Sequence, residues 1–208
     1  MNDFGLYLVM TDPVVGYARC AEAAVAAKVK MLQLRMKHVS RAQILETAKT
    51  VRSITRGSET NFIVNDDPSI AAECGADGVH LGQDDMTIDE ARRLYPELKI
   101  FGLSTHNLHQ AKESIAINPD YIGTGPVFPT PTKEIPDPTL GIADAVKMAN
   151  LVSVPAVAIG GINANNIADV IKSGIRNFAI VRAVCAADNP YEAIMSLNEI
   201  AAKAREES

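Results

Sequence analysis

Short apolar runs alternate with longer segments of helical period from one end of the chain to the other. The runs predicted as strands are Leu6–Met10, Met31–Leu34, Phe62–Val64, Gly78–Leu81, Lys99–Leu103, Tyr121–Gly123, Ala156–Ile159 and Phe178–Val181. Most are near-continuous in Val, Ile, Leu and Ala, as suits parallel strands covered on both faces. Helix signals fill the intervals. Ser40 with Gln43, Thr87 with Glu90 and Asn107 with Gln110 stand as N-cap and third-residue pairs. Asn163 is predicted to cap the seventh helix. Asn189-Pro190 supplies a cap followed by a proline whose missing N–H costs nothing at the first helical position. Gly75 and Gly174 fall where helices should end, because glycine tolerates the left-handed conformation there.

Cys74-Gly75-Ala76-Asp77-Gly78-Val79 and Ser173-Gly174-Ile175-Arg176-Asn177-Phe178 echo one another: a helix stops at glycine, and a strand begins three residues later. Eight such βα units follow each other without a linker, charge run or low-complexity stretch. Eight units close most readily into a barrel. The competing architecture, a doubly wound open sheet, has a Gly-rich turn after its first strand, where this chain has Thr11-Asp12-Pro13. The reading is a single-domain (β/α)8 TIM barrel of parallel strands over residues 1–208.

Composition narrows the partners. Apolar residues make up 47% and charged residues 22% of 208 residues, the balance of an ordinary soluble globular protein. The net charge is -5 with scattered basic residues, which speaks against a nucleic-acid or anionic-membrane surface. No apolar run is long enough to span a bilayer. The first ten residues have no basic segment and enter a strand at once, unlike a signal peptide. Cys20, Cys74 and Cys185 are widely spaced and odd in number, so neither a disulfide framework nor a zinc site follows. Buried reduced thiols in a cytoplasmic protein are the expectation.

A barrel carries its chemistry on the loops after the strand C-termini. After the second strand, Gln33, Arg35 and Lys37 alternate and so share a face, two cations and an amide suited to a diphosphate. Charged residues at a strand end are otherwise solvated punctuation. After the third and fourth strands come Asn65-Asp66-Asp67 and Gly82-Gln83-Asp84-Asp85. Asp67 reads as the cap of the helix starting at Pro68 and Asp84 as a turn residue, leaving Asp66 and Asp85 as candidate ligands of Mg2+. The fifth strand leads into Ser104-Thr105-His106, where a hydroxyl can bind or move a proton. His106 reads either as a base or as a polar residue at a helix start. His80 reads as a hydrogen-bonded core residue, and His38 and His109 as exposed.

The segment Gly123-Thr124-Gly125-Pro126-Val127-Phe128-Pro129-Thr130-Pro131-Thr132-Lys133 combines stiffening prolines, glycines that permit close approach, and donors at Thr130, Thr132 and Lys133. It reads as an anion-binding lid. Gly160-Gly161 after the seventh strand and Val181-Arg182-Ala183 after the eighth occupy the positions of the common barrel phosphate cradle. One chain thus offers sites for a diphosphate with Mg2+ and for a monophosphate, as alkyl transfer from a diphosphate to a phosphorylated nucleophile requires.

These motifs, together with Leu6-Tyr7-Leu8-Val9, Gly75-Ala76-Asp77-Gly78-Val79-His80-Leu81-Gly82-Gln83-Asp84-Asp85 and Ala158-Ile159-Gly160-Gly161-Ile162, resemble the thiamine-phosphate synthase family over essentially the whole chain. The resemblance implies capture of hydroxymethylpyrimidine diphosphate by the ring nitrogen of thiazole phosphate, with largely dissociative loss of pyrophosphate. It implies that Gln33, Arg35, Lys37, Asn65, Ser104 and Lys133, with Leu34 and Met36 between them, bind the pyrimidine diphosphate, with Arg35, Ser104 and Lys133 as catalytic groups. Asp66 and Asp85 would hold Mg2+. Thr130, Pro131, Thr132, Gly161, Val181 and Arg182 would bind the thiazole phosphate. Two positions depart from the family pattern: Met36 replaces Glu, and Arg182 replaces Ser. The related thiazole tautomerase shares the barrel but would use His106 without magnesium. A non-catalytic sensor of thiamine precursors is the alternative of another class. The expected partners are small phosphorylated substrates, and a homodimer is in keeping with the tendency of small barrels to associate.

Overall fold

A computed structural model describes residues 3–130 and 138–207. The elements run β1 (Leu6–Met10), α1 (Tyr17–Ala26), β2 (Met31–Leu34), α2 (Arg41–Thr55), β3 (Asn61–Asn65), α3 (Pro68–Cys74), β4 (Gly78–Leu81), α4 (Ile88–Leu94) and β5 (Ile100–Thr105). They continue with α5 (Leu108–Ile117), β6 (Tyr121–Thr124), α6 (Gly141–Leu151), β7 (Ala156–Ala158), α7 (Ile167–Lys172), β8 (Asn177–Ile180), α8 (Arg182–Cys185) and α9 (Pro190–Glu206). Each strand pairs with the next in parallel, and β8 pairs with β1, closing the (β/α)8 barrel.

The strands are near-continuously apolar because both of their faces are covered. On β1, Leu6, Leu8 and Met10 face the helical layer and join the large outer core. Tyr7 and Val9 point inward, where they pack with Met31, Ile63, Ile100, Tyr121, Val157 and Ala179. The three buried rings of Phe4, Tyr7 and Tyr121 meet edge to face at centroid separations of 5.6–6.4 Å.

The helix starts follow the capping chemistry. Ser40 and Gln43 form a reciprocal capping box. Thr87 and Asn107 accept from the backbone N–H of Glu90 and Gln110, and Asn189 accepts from that of Glu192. Asp67 caps α3 through the N–H groups of Ser69 and Ile70. Gly75 is the left-handed C-cap of α3, with φ 72°, and Gly174 follows the C-cap Ser173 of α7. Cys20, Cys74 and Cys185 are free and buried.

Asn163 is not the cap of the seventh helix. That helix starts at Ile167 after Asn166, and Asn163 instead folds the loop before it, accepting from Asn165 N–H at 2.9 Å. Five strands differ from their expected bounds: the third (Asn61–Asn65) by one residue at each end, the sixth (Tyr121–Thr124) by one residue at its C-terminal end, and the fifth, seventh and eighth as well. The fifth strand extends to Thr105, because Ser104 and Thr105 stay in register with Gly123 and Thr124, and it starts at Ile100, after Lys99 and Ile100 N–H have both bonded to the Asp77 carbonyl. The seventh ends at Ala158. The eighth starts at Asn177, whose side chain accepts from Phe4 and Gly5 N–H, and it ends before Val181, which turns the chain into α8.

Candidate active site

The C-terminal ends of the strands surround a cavity of about 750 Å3. Its floor is Tyr7, Val9, Tyr121, Val157 and Ala179, the upper surface of the inward-facing apolar layer. Above that floor the inward positions become polar: Gln33 on β2, Asn65 on β3, His80 on β4 and Ser104 on β5. This change of character along single strands separates an apolar inner layer from the polar cavity wall.

Gln33, Arg35 and Lys37 reach the cavity together, as their alternation requires. Gln33 is buried and donates from Nε2 to the Tyr7 hydroxyl at 2.8 Å. Arg35 is half-buried and Lys37 exposed, so this row of polar side chains runs from the barrel interior to its rim. Leu34 and Met36 occupy the opposite face. Leu34 is part of the outer core and Met36 packs against it, so their side chains are turned from the cavity because side-chain direction alternates along the chain. The cavity lining therefore includes Gln33, Arg35 and Lys37 but neither Leu34 nor Met36, and the Glu-to-Met departure at position 36 lies outside the cavity wall.

Asp66 and Asp85 face one another from the third and fourth loops. Burial, opposed by the Gly82 N–H and reinforced by the neighbouring Asp66 charge, raises the Asp85 carboxyl above the usual carboxylate range. Asp85 accepts from that N–H at 2.7 Å, and a Cβ on Gly82 would sit 3.1 Å from the Asp85 oxygen. Asp66 adopts φ 67° and pairs with the Lys37 ammonium. Among the described residues these carboxylates form a pair and do not belong to a cluster of three or more His, Cys, Asp and Glu suited to a metal. Asp84 is an exposed turn residue at the rim.

The opposite wall is built by loops six, seven and eight. Val127 and Phe128 N–H groups donate to the Ile159 and Gly160 carbonyls at 2.8 and 3.0 Å, so the first part of loop six is laced to loop seven. The approach leaves no room for side chains: a Cβ on Gly160 would lie 2.5 Å from the Pro126 Cβ, and one on Gly161 2.7 Å from the Phe128 Cβ. Asn163 and Asn166 both donate to the Gly161 carbonyl at 3.0 Å, fixing the peptide that borders the cavity. Thr130, Gly161, Val181 and Arg182 all line this side, Arg182 as an exposed cation at the first residue of α8. Pro131, Thr132 and Lys133 lie outside the described residues.

Sequence reasoning missed three aromatic residues. His80 is hydrogen-bonded, as expected, but it stands in the cavity wall, held by Tyr121 at 2.9 Å and Ser104 at 2.8 Å. Tyr7 and Tyr121, hidden in apolar strands, meet at 2.8 Å beneath it. The available signal was the inward register shared by Tyr7 and Val9. His106 also lines the cavity and donates from Nδ1 to the Gly125 carbonyl at 2.9 Å, while His38 and His109 are exposed.

Comparisons with known proteins show the family to which this barrel belongs. The family model described as thiamine monophosphate synthase matches residues 6–184. The chain is 39% identical to the thiamine-phosphate synthase of Archaeoglobus fulgidus, over 96% of this chain and 95% of that one. It is also 39% identical to the protein of the same name from Chloroflexus aurantiacus, over 99% and 96% of the two chains. Among solved structures, a thiamine phosphate pyrophosphorylase from Pyrococcus furiosus superposes with a TM-score of 0.88 at 32% identity, covering 98% of both chains. A barrel with cationic, amide and paired-carboxylate groups on one wall and a glycine-bordered cradle on the other, matched along its length, belongs to the thiamine monophosphate synthase family.

Proposed function

We propose that the protein is a thiamine-phosphate synthase, joining a pyrimidine methyl diphosphate to a thiazole phosphate with release of pyrophosphate. The observation that carries this reading is one cavity lined by Arg35 and Lys37 on one side and by Thr130, Gly161 and Arg182 on the other. On one side Arg35 and Lys37 take the diphosphate, the guanidinium fork matching two phosphate oxygens. Gln33, Asn65 and Ser104, deeper in the barrel, hold the pyrimidine end. Facing them, Thr130, Gly161, Val181 and Arg182 take the thiazole phosphate, which points the thiazole nitrogen back across the cavity.

In the reaction the bond from the pyrimidine methylene to the diphosphate oxygen breaks, its electron pair leaving with pyrophosphate. The thiazole nitrogen lone pair forms the new C–N bond and the ring becomes a thiazolium. No proton transfer to carbon is needed, so the residues work by charge and position. Arg35 and Lys37 stabilise the charge that grows on the leaving group. The apolar floor of Val9, Val157 and Ala179 keeps bulk water from competing for the electrophilic methylene.

Asp66 and Asp85 fit a divalent cation of the oxygen-preferring kind, because two facing carboxylates leave excess negative charge that one Lys37 ammonium only partly balances. They would hold Mg2+, which when bound neutralises diphosphate charge. We further place the enzyme in the cytoplasm, in keeping with three free buried thiols and the absence, among the described residues, of a helix able to cross a membrane.

Purified protein supplied with both precursors and Mg2+ should form thiamine phosphate, detected by chromatography, and should form none when either precursor is withheld. A folded protein that yields no product with both would overturn the reading.

A further inference from the structure

A continuous chain of hydrogen bonds runs through the barrel interior to the cavity wall. Gln33 Nε2 donates to the Tyr7 hydroxyl at 2.8 Å, and Tyr7 and Tyr121 hydroxyls meet at 2.8 Å. Tyr121 reaches His80 Nδ1 at 2.9 Å, and His80 Nε2 reaches Ser104 Oγ at 2.8 Å. The order of the groups sets its direction. Tyr7 is 2% exposed and Tyr121 0%, so each phenolic proton needs an acceptor inside the protein. Tyr7 already receives the Gln33 amide, and its own proton is satisfied by the Tyr121 oxygen. Tyr121, having accepted, donates onward to His80 Nδ1. An imidazole that accepts at Nδ1 carries its proton at Nε2 and donates it to Ser104. The Ser104 proton is then directed to the cavity that Ser104 lines.

We propose that Tyr7 and Tyr121 are positioning residues which fix His80 as its Nε2–H tautomer and thereby make Ser104 a hydrogen-bond donor toward an acceptor atom of the bound pyrimidine diphosphate. The identity of that ligand rests on the synthase reading; the direction of the chain rests on the Gln33 amide donating to Tyr7 and on the need of each buried phenol for an acceptor. Three further features support it. Burial raises both phenols far above their ordinary range, so neither gives up its proton at neutral pH. Gly102 leaves space at the joint: a Cβ there would lie 2.3 Å from the Tyr121 hydroxyl and 2.6 Å from His80 Nδ1. The His80 and Tyr121 rings stack with centroids 5.5 Å apart, which holds the joint in register.

The experiment is long-range 1H–15N NMR on the full chain, 15N-labelled at histidine and free of ligand. His80 is assigned by comparison with His80→Gln, and the same spectra are recorded for Tyr121→Phe and Tyr7→Phe. The wild-type spectrum should show His80 as the Nε2–H tautomer. Tyr7→Phe should keep that tautomer, because Tyr121 still donates, whereas Tyr121→Phe should lose it in favour of a mixture or the Nδ1–H form. In turnover, Tyr121→Phe should lower kcat about ten-fold, the effect of one misdirected hydrogen bond, with KM for the thiazole phosphate unchanged. A wild-type Nδ1–H tautomer, an imidazolium, or a tautomer indifferent to Tyr121→Phe would overturn the proposal. The spectra need no substrate, so their outcome stands apart from whether the protein makes thiamine phosphate. Were Tyr121→Phe to misfold, the wild-type and Tyr7→Phe spectra would still decide the direction.

Discussion

Replacing Gly102 with alanine would introduce a methyl group at the joint between the apolar floor and the polar wall. The added Cβ would sit 2.1 Å from Tyr121 Cζ and 2.6 Å from His80 Nδ1. Carbon atoms rest at about 3.5 Å or more, so one partner must retreat by about 1.4 Å. Neither has space to do so. Tyr121 is fully buried against Phe4 and Tyr7, and His80 is tied to Ser104. Overpacking of this kind costs about 1–3 kcal/mol, and rupture of the Tyr121–His80 bond adds about 1 kcal/mol. For a domain of this length a total of about 2–4 kcal/mol lowers Tm by roughly 5–15 °C. Thermal and urea unfolding followed by circular dichroism would measure the loss, and steady-state assays of whatever remains folded would show kcat falling with the displaced Ser104. A Gly102→Ala protein with wild-type stability and turnover would refute both the packing argument and the role given to this joint.

Other perturbations separate the two walls. Arg35→Ala should lower kcat/KM by about 30-fold or more, roughly the 2 kcal/mol scale of one lost charge-stabilising donor; unchanged kinetics would remove Arg35 from the site. Arg182→Ser should raise KM for the thiazole phosphate while leaving that for the pyrimidine diphosphate alone, and equal effects on both would place the guanidinium elsewhere. Asp85→Asn bears on stability as well as activity. Burial and Asp66 raise the Asp85 carboxyl, so the stability gained from its proton is fully present only below the ordinary carboxylate pKa and is lost as pH rises through the raised value. In EDTA, Asp85→Asn should therefore melt above the wild type at neutral pH and alike at about pH 3.5, while losing turnover. A lower Tm at neutral pH would show that the carboxylate stabilises the fold.

The barrel was legible because burial on both faces writes strands as unbroken apolar runs, and because Ser40, Thr87, Asn107 and Asn189 mark helix starts by local chemistry. The rim was legible for the same local reason: alternation alone brings Gln33, Arg35 and Lys37 to one side, and Asp67 declares itself a cap, leaving Asp66 to the cavity. What escaped depends on contacts distant in sequence. Tyr7 and Tyr121 look like core residues in their own strands, and only closure of the barrel brings their hydroxyls together. His80 reads as a hydrogen-bonded core residue because it lies inside a strand, and its partners, which place it in the cavity wall, arrive from the fifth and sixth strands. Asn163 has the residue type of a helix cap, but its side chain closes the loop through Asn165 N–H and the Gly161 carbonyl, a geometry the sequence does not display. Leu34 and Met36 lie between the residues that line the cavity, and their side chains pack on the outer core.

The most direct test of the account is pyrophosphate release by the purified protein, measured with each precursor alone, with both, and with both in excess EDTA. The account predicts release only when both precursors and Mg2+ are present, and none from Asp85→Ala under the same conditions. Release that ignores EDTA would contradict the role given to Asp66 and Asp85, and no release from folded protein with both precursors and Mg2+ would contradict the synthase itself.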